Sequence, residues 1–216
     1  MNVLVVGANG QIGKQLVAKI QHRNGLQAKA MIRKQEQSSY FKELGAEPII
    51  VDLEDDVKAI ERAVHGVDAV VFTAGSGPNT GKDKTILIDL DGAVKTIEAT
   101  KLAGVKRFVM VSSFDTTREA IQASSPSFSP YVVAKHYADE WLKRTELAYT
   151  IIHPGRLTND IGVGRVEIGE KVERGEIPRE DVAEVILQSL QNKKTIGKEF
   201  QIVTGSQPIN EAIDSL

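Results

Sequence analysis

Cysteine is absent from the chain. Its absence excludes disulfides, cysteine-based zinc sites and thiol catalysis together, and it fits a reducing compartment. Histidine is nearly as scarce, with four in the chain. Only His136 and Asp139 stand at a helical i, i+3 spacing suited to a metal, and no third ligand accompanies them, so no metal site is expected. No charge of one sign dominates: 27 Lys and Arg against 29 Asp and Glu leave a formal net charge of −2. A near-neutral chain lacks the basic field of a nucleic-acid binder. No apolar run approaches the roughly 18–20 residues of a membrane span, so no membrane partner is expected. Met1 leads straight into Val3-Leu4-Val5-Val6 with no basic segment ahead of a cleavable apolar one, and a cytoplasmic protein is the expectation.

What is present is an ordinary globular composition, 41% hydrophobic and 26% charged. A chain of 216 residues holds one large domain or two small ones at about 150 residues per domain. A chain of this size buries about 70% of its unfolded surface and needs no cross-link to hold a core. Six short, nearly continuous apolar runs read as strands: Asn2–Val6, Ala28–Ile32, Pro48–Val51, Ala69–Phe72, Arg107–Val111 and Tyr149–Ile152. Continuous apolar character marks strands covered on both faces. Helical periodicity fills the spaces between them. Gln11–His22 sets Ile12, Leu16, Val17 and Ile20 on one face, and Thr85–Ala103 repeats Leu87, Leu90, Val94, Ile97 and Leu102 at near-helical intervals. The alternation predicts an α/β protein, a doubly wound parallel sheet with helices on both sides. No repeat or long linker divides it, so one domain over residues 1–216 is expected. Ala74–Lys84 and Phe114–Ser129 are the least regular stretches. Both follow strands at their carboxyl ends, where open α/β sheets bind ligands.

The first strand runs into Gly7-Ala8-Asn9-Gly10-Gln11-Ile12-Gly13 and then a helix. Gly7 permits the tight turn, Gly10 lets a pyrophosphate approach the backbone, and Gly13 allows close packing of helix on strand. The free N–H groups and positive dipole end of the helix then face the phosphates. The second strand ends in Arg33-Lys34, where a carboxylate would suit the ribose of NAD. Two cations there suit a 2′-phosphate, so NADP(H) is the expected cofactor, with NAD(H) as the alternative. Asp52 after the third strand either accepts from the adenine amino group or caps the following helix.

Tyr131-Val132-Val133-Ala134-Lys135 opens a predicted helix, with Ser129 as its N-cap and Pro130 at its first position. The spacing puts Tyr131 and Lys135 on one face. A nearby ammonium stabilises a phenolate, which gives such a pair acid–base reach near neutral pH. Ser112 and Ser113 end the preceding strand and offer a hydroxyl to polarise a carbonyl oxygen.

With Phe72-Thr73-Ala74-Gly75, Asp89-Leu90-Asp91-Gly92-Ala93, Val111-Ser112-Ser113 and Pro154-Gly155, these motifs make the chain resemble the short-chain dehydrogenase/reductase superfamily. The Gly7-x-x-Gly10-x-x-Gly13 spacing is similar to its extended or atypical branch, and the resemblance covers nearly the whole chain. It implies a Rossmann fold with Gly7, Asn9, Gly10, Gln11 and Ile12 on the pyrophosphate and Arg33 with Lys34 on the 2′-phosphate. Asp52 and Leu53 would flank the adenine, and Thr73, Ala74 and Gly75 the adjacent ribose. Tyr131 would be the general acid or base, Lys135 would hold the nicotinamide ribose and support Tyr131, and Ser113 would be the substrate-side hydroxyl. Pro154 and Gly155 would pass the nicotinamide ring. Only 61 residues follow Gly155, too few for the large lobe of nucleotide-sugar epimerases. The size is closer to small atypical members such as the biliverdin-IXβ/flavin reductase type, with residues 156–216 as a short substrate-side extension. That extension should carry a strand near Val163–Ile168, a helix at Arg179–Gln191, a last strand at Glu199–Val203 and a closing helix over Asn210–Leu216.

The expected activity is hydride transfer from NADP(H) to a small carbonyl-type acceptor, with Tyr131 supplying the proton. Three rivals stand beside it: a dinucleotide-sensing regulator, an epimerase with tightly held NAD, and a flavin or quinone reductase in which Tyr131 is a bystander. His153 and Arg156 bracket Pro154-Gly155, where substrate should enter, and Arg156 either binds an anion or pairs with an acid such as Asp160. Trp141 reads as packing. The resemblance also suggests a homodimer through the helices around 85–103 and 130–145.

Overall fold

The computed structural model describes residues 1–77 and 79–216. Pro78, within the Ala74–Lys84 stretch, lies outside the described residues. The first half runs β1 (Asn2–Val6), α1 (Gln11–Gln21), β2 (Gln27–Ile32), α2 (Ser38–Glu43), β3 (Glu47–Ile50), α3 (Val57–Val64) and β4 (Ala69–Phe72). A short α4 (Lys82–Lys84) passes into a π-helical stretch, Thr85–Gly92, and then α5 (Ala93–Leu102). After β5 (Arg107–Val111) come α6 (Arg118–Ala123), α7 (Ser129–Lys143) and β6 (Ala148–Pro154). The remainder holds β7 (Arg156–Thr158), β8 (Arg165–Gly169), β9 (Glu176–Pro178), α8 (Arg179–Gln191), β10 (Lys198–Thr204), β11 (Gln207–Pro208) and α9 (Ile209–Asp214).

The central apolar runs become strands because each is buried on both faces, whereas β3, at the edge of the sheet, is only partly covered and leaves Ile50 exposed. Along β1, Val3 and Val5 join one core while Leu4 and Val6 join the other. The same alternation separates Ala69 and Val71 from Val70 and Phe72, and Val109 and Val111 from Phe108 and Met110. Successive side chains on a strand point to opposite faces, so two helical layers must cover the sheet. One layer brings Leu16 and Ile20 of α1 with Val182 and Ile186 of α8, and the other brings Ile60 of α3, Ile97 of α5 and Leu142 of α7. Each such side chain, fully buried, contributes about 1.5–3 kcal/mol of transfer free energy.

The main sheet has the order β11-β8-β10-β6-β5-β4-β1-β2-β3. From β3 to β10 all pairings are parallel, and β8 pairs antiparallel with both β10 and β11. β7 and β9 form a separate parallel pair. The chain order reverses between β1 and β4, which opens a crevice at the carboxyl ends of these strands.

Boundaries shift modestly from expectation, and four differences are informative. Phe114–Ser129 is not wholly irregular, since Thr117 caps α6 by accepting from Ala120 N–H. The helix at 85–103 is π-wound over Thr85–Gly92, which rotates Asp89 into full burial. Such π segments commonly mark functional sites. Phe128, not Ser129, is the N-cap of α7, and no side chain caps it. The last third holds the strands expected near 163–168 and 199–203 and the helix at Arg179–Gln191, and it adds three short strands that were not expected, β7, β9 and β11; β10 joins the sheet beside β6.

Candidate active site

Gly7 stands at φ +80, and a Cβ there would lie 2.7 Å from the backbone of Ala74 after β4. Only glycine meets both demands. Gly13 is the point where α1 touches the turn, since a Cβ would strike Gly7 O and lie 2.8 Å from Ala8 Cα. Gly10 caps α1 without a side-chain hydrogen bond, and Gly7 O alone lies within 4 Å of where its Cβ would stand. The first N–H groups of α1 are therefore left for an anion, with an open cradle beside them.

A cavity of about 350 Å³ starts at this turn and is lined by Gly7, Asn9, Gly10, Arg33, Asp52, Leu53, Thr73, Ala74 and Gly75. The Lys84–Glu54 ion pair, at 2.6 Å, stands on its rim. Arg33 is exposed and among the lining residues. Lys34 is not: its N–H donates to Gln37 Oε1, and its side chain lies outside the cavity. Asp52 does not cap α3. Asp56 does so by accepting from Ala59 N–H, while Asp52 Oδ1 accepts from Glu54 N–H in the preceding turn.

Thr73, Ala74, Gly75, Ser76 and Thr80 also line a second cavity of about 680 Å³, so the two spaces are continuous. Gln11, Ile12, Ser112, Ser113, Tyr131, Lys135, Pro154 and Gly155 complete much of it. The helical register brings the Lys135 ammonium 5.8 Å from the centre of the Tyr131 ring. Lys135 is 3% exposed, donates to Val111 O at 3.4 Å and lies 3.5 Å from Asp89 Oδ1. Burial alone would depress its pKa, but it is held above the ordinary lysine value, chiefly by Tyr131 and Asp89. Asp89 in turn accepts from Ser76 N–H at 3.0 Å. Phe128 packs its ring 5.3 Å from that of Tyr131 and forms part of the wall.

The two serines at the end of β5 differ. Ser113 is half-buried in the cavity wall, and its carbonyl accepts from His153 Nδ1 at 2.6 Å. Ser112 is buried, and its hydroxyl lies 2.6 Å from Asp139 Oδ2. His153 does not line this cavity: it is 6% exposed and lies 3.6 Å from Glu199. Arg156 pairs with Glu176 and not with Asp160. Trp141 is half exposed on α7 and donates to Glu98 Oε1 at 2.9 Å, so it is not a core residue.

Asp89, Asp139, Phe128 and Arg179 are cavity or cluster residues to which sequence reasoning gave no role. Asp89 had a signal, its place in Asp89-Leu90-Asp91-Gly92-Ala93. The others become neighbours only through tertiary packing.

The glycine turn, the reversal of strand order and the phosphate-ready helix end agree with the sequence comparisons. A family profile described as NAD(P)H-binding matches residues 7–193. The chain belongs to this NAD(P)H-binding family. It is 45% identical over 216 residues to the uncharacterised sugar epimerase YhfK of Bacillus subtilis, covering 100% of both chains. A solved structure from Bacillus halodurans, named by inference as an NAD-dependent epimerase/dehydratase, has 42% identity, full coverage of both chains and a TM-score of 0.94. The oxidoreductase ylbE of Lactococcus lactis superposes with a TM-score of 0.90 at 30% identity, over 100% of this chain and 96% of that one. The fold is thus the Rossmann-type sheet of an NAD(P)H-binding family, whose ligand is a nicotinamide dinucleotide. Among the described residues no helix is long and apolar enough to cross a membrane.

Proposed function

We propose that this member of the family is an NADP(H)-dependent reductase of a small carbonyl-type acceptor, with Tyr131 as its acid. The observation that carries the reading is the convergence of Tyr131, Lys135 and Ser113 in a cavity continuous with the glycine-turn cavity. NADPH, when bound, supplies the hydride. Tyr131 delivers the proton to the acceptor oxygen, and Ser113 donates a hydrogen bond to the same oxygen as charge develops there. Lys135, fixed by Asp89 and Val111 O, holds positive charge beside Tyr131. Arg33 at the mouth of the glycine-turn cavity meets the 2′-phosphate.

The test is NADPH oxidation by the purified protein against aldehydes, ketones, quinones and flavins, with Tyr131→Phe in parallel. Turnover should fall at least about a hundredfold in the variant, the scale of general acid–base catalysis, while NADPH binding stays within about twofold. Equal turnover in both proteins would remove Tyr131 from the mechanism and leave a flavin or quinone reductase.

A second reading is favoured by the names carried by YhfK and the Bacillus halodurans protein. In an epimerase, NAD stays bound and is regenerated within each cycle. That reading requires NAD that copurifies with the protein and no net change in nicotinamide redox state.

A further inference from the structure

A third cavity, of about 790 Å³, lies behind the active site, lined in part by His136, Asp139, Glu140, Lys143, His153 and Glu199. It shares no residue with the substrate cavity. Ser112 lines one and Asp139 lines the other, and the two side chains meet at 2.6 Å. The wall between the cavities is at this point a single hydrogen bond.

Asp139 is 2% exposed. Its Oδ2 lies 2.6 Å from Ser112 Oγ and accepts at 2.9 Å from Thr116 Oγ1. Its Oδ1 is buried and meets no donor among the described residues. An ionised carboxylate pays a heavy desolvation cost for an oxygen left in that state, whereas a neutral acid does not. The charged neighbours are Lys135 on its own helix and His153 on β6, with Asp89 beyond Lys135 and Glu199 beyond His153. Burial outweighs both cations and holds the Asp139 pKa above the ordinary carboxylate range. The direction of the Ser112–Asp139 bond follows from that protonation state. A neutral Asp139 donates to Ser112 Oγ, and the Ser112 proton is then free to point into the substrate cavity.

We propose that Asp139 is the inner station of a proton path that enters from the rear cavity and reaches the active site through Ser112. The proposal rests on the reductase reading. For each proton that Tyr131 gives to the acceptor, Ser112 passes one through the cavity solvent to the Tyr131 phenolate, Asp139 Oδ2 passes its proton to Ser112, and rear-cavity solvent returns one to Asp139. One proton enters for each one used, and every protein group ends the cycle as it began. Ser112 and Asp139 act through Tyr131 and are positioning and relay residues.

The experiment has an arm that needs no turnover. Infrared difference spectra of the protein without cofactor should show a neutral carboxylic acid at pH 7 that is lost in Asp139→Asn and shifted in Ser112→Ala. No such band would overturn the proposal. In the turnover arm, Asp139→Asn and Ser112→Ala should each lower kcat at least about tenfold, raise the solvent isotope effect, and leave acceptor KM and NADPH affinity within about twofold. The double variant should be no slower than either single one, because both cut one path. Unchanged kcat and pH profile, or losses confined to binding and thermal stability, would also overturn it. If the unaltered protein reduces no acceptor, the reductase reading fails, and the infrared arm still decides whether Asp139 is a buried acid.

Discussion

Replacing Gly13 by Ala sets two effects of known size against each other. Gly13 lies inside α1, where Ala is the better helix former by about 1 kcal/mol. On propensity alone the variant should be more stable. The added Cβ, however, would strike Gly7 O and stand 2.8 Å from both Ala8 Cα and Ala8 O. All three are backbone atoms of the turn, so no side chain can swing aside. Restoring ordinary contact moves α1 away from β1 by roughly half an ångström or more, and overpacking of this kind costs about 1–3 kcal/mol. The clash therefore wins, with a net loss of up to about 2 kcal/mol, or a Tm lower by up to roughly 4–8 °C for a chain of this length. The larger effect falls on binding, because the N–H groups at the start of α1 lose their alignment with the turn. NADPH affinity should drop at least tenfold, about 1.4 kcal/mol. Thermal unfolding and fluorescence titration with NADPH measure both quantities. A higher Tm with unchanged affinity would refute the assignment of Gly13 as the contact that sets the helix against the phosphate turn.

Two further outcomes follow from the geometry. Arg33→Ala should weaken NADPH far more than NADH, since Arg33 lines the glycine-turn cavity and Lys34 does not; equal losses in isothermal titration would remove Arg33 as the 2′-phosphate ligand. Glu199→Gln should lower stability in a pH-dependent way. The Glu199 carboxyl is held down to about 2, chiefly by His153 with Lys143 also contributing, against its own burial. Burial would lower the His153 pKa, but the Glu199 carboxylate and the Ser113 carbonyl hold it above 6.5. A depressed carboxylate stabilises above its unfolded value of about 4.3 and loses that as pH falls; a raised His stabilises below about 6.5 and loses it as pH rises through its folded value. The gap between the unaltered protein and the variant should thus be widest near pH 5–6 and shrink on both sides. Glu199 is half exposed, so the gap stays under about 1 kcal/mol and narrows in salt. A gap independent of pH would break the proposed His153–Glu199 coupling.

The α/β class and the strands β1, β4 and β5 were legible from sequence because strands covered on both faces must be continuously apolar, a local property. The glycine turn was legible for a similar reason: Gly7 at φ +80 and Gly13 against Ala8 answer constraints within a few residues of one another. Tyr131 and Lys135 share a helix face by spacing alone, so their pairing needed no tertiary knowledge. Residues whose roles depend on distant partners were not legible. Trp141 is apolar in composition, yet the side of α7 it occupies leaves it half exposed. His153 precedes Pro154-Gly155 in sequence, but it lies within β6 and is held against Glu199 of β10, away from the lining of the Tyr131 cavity. The π-winding that buries Asp89 beside Lys135, and the packing that joins Ser112, just after β5, to Asp139 of α7 across 27 positions, exist only in the folded chain. Sequence by itself determined the glycine turn between β1 and α1, because its demands are met largely within one contiguous segment. Tertiary structure decided the charge environment around Tyr131 and Lys135, because buried ionisable groups are set by whichever elements the sheet brings together.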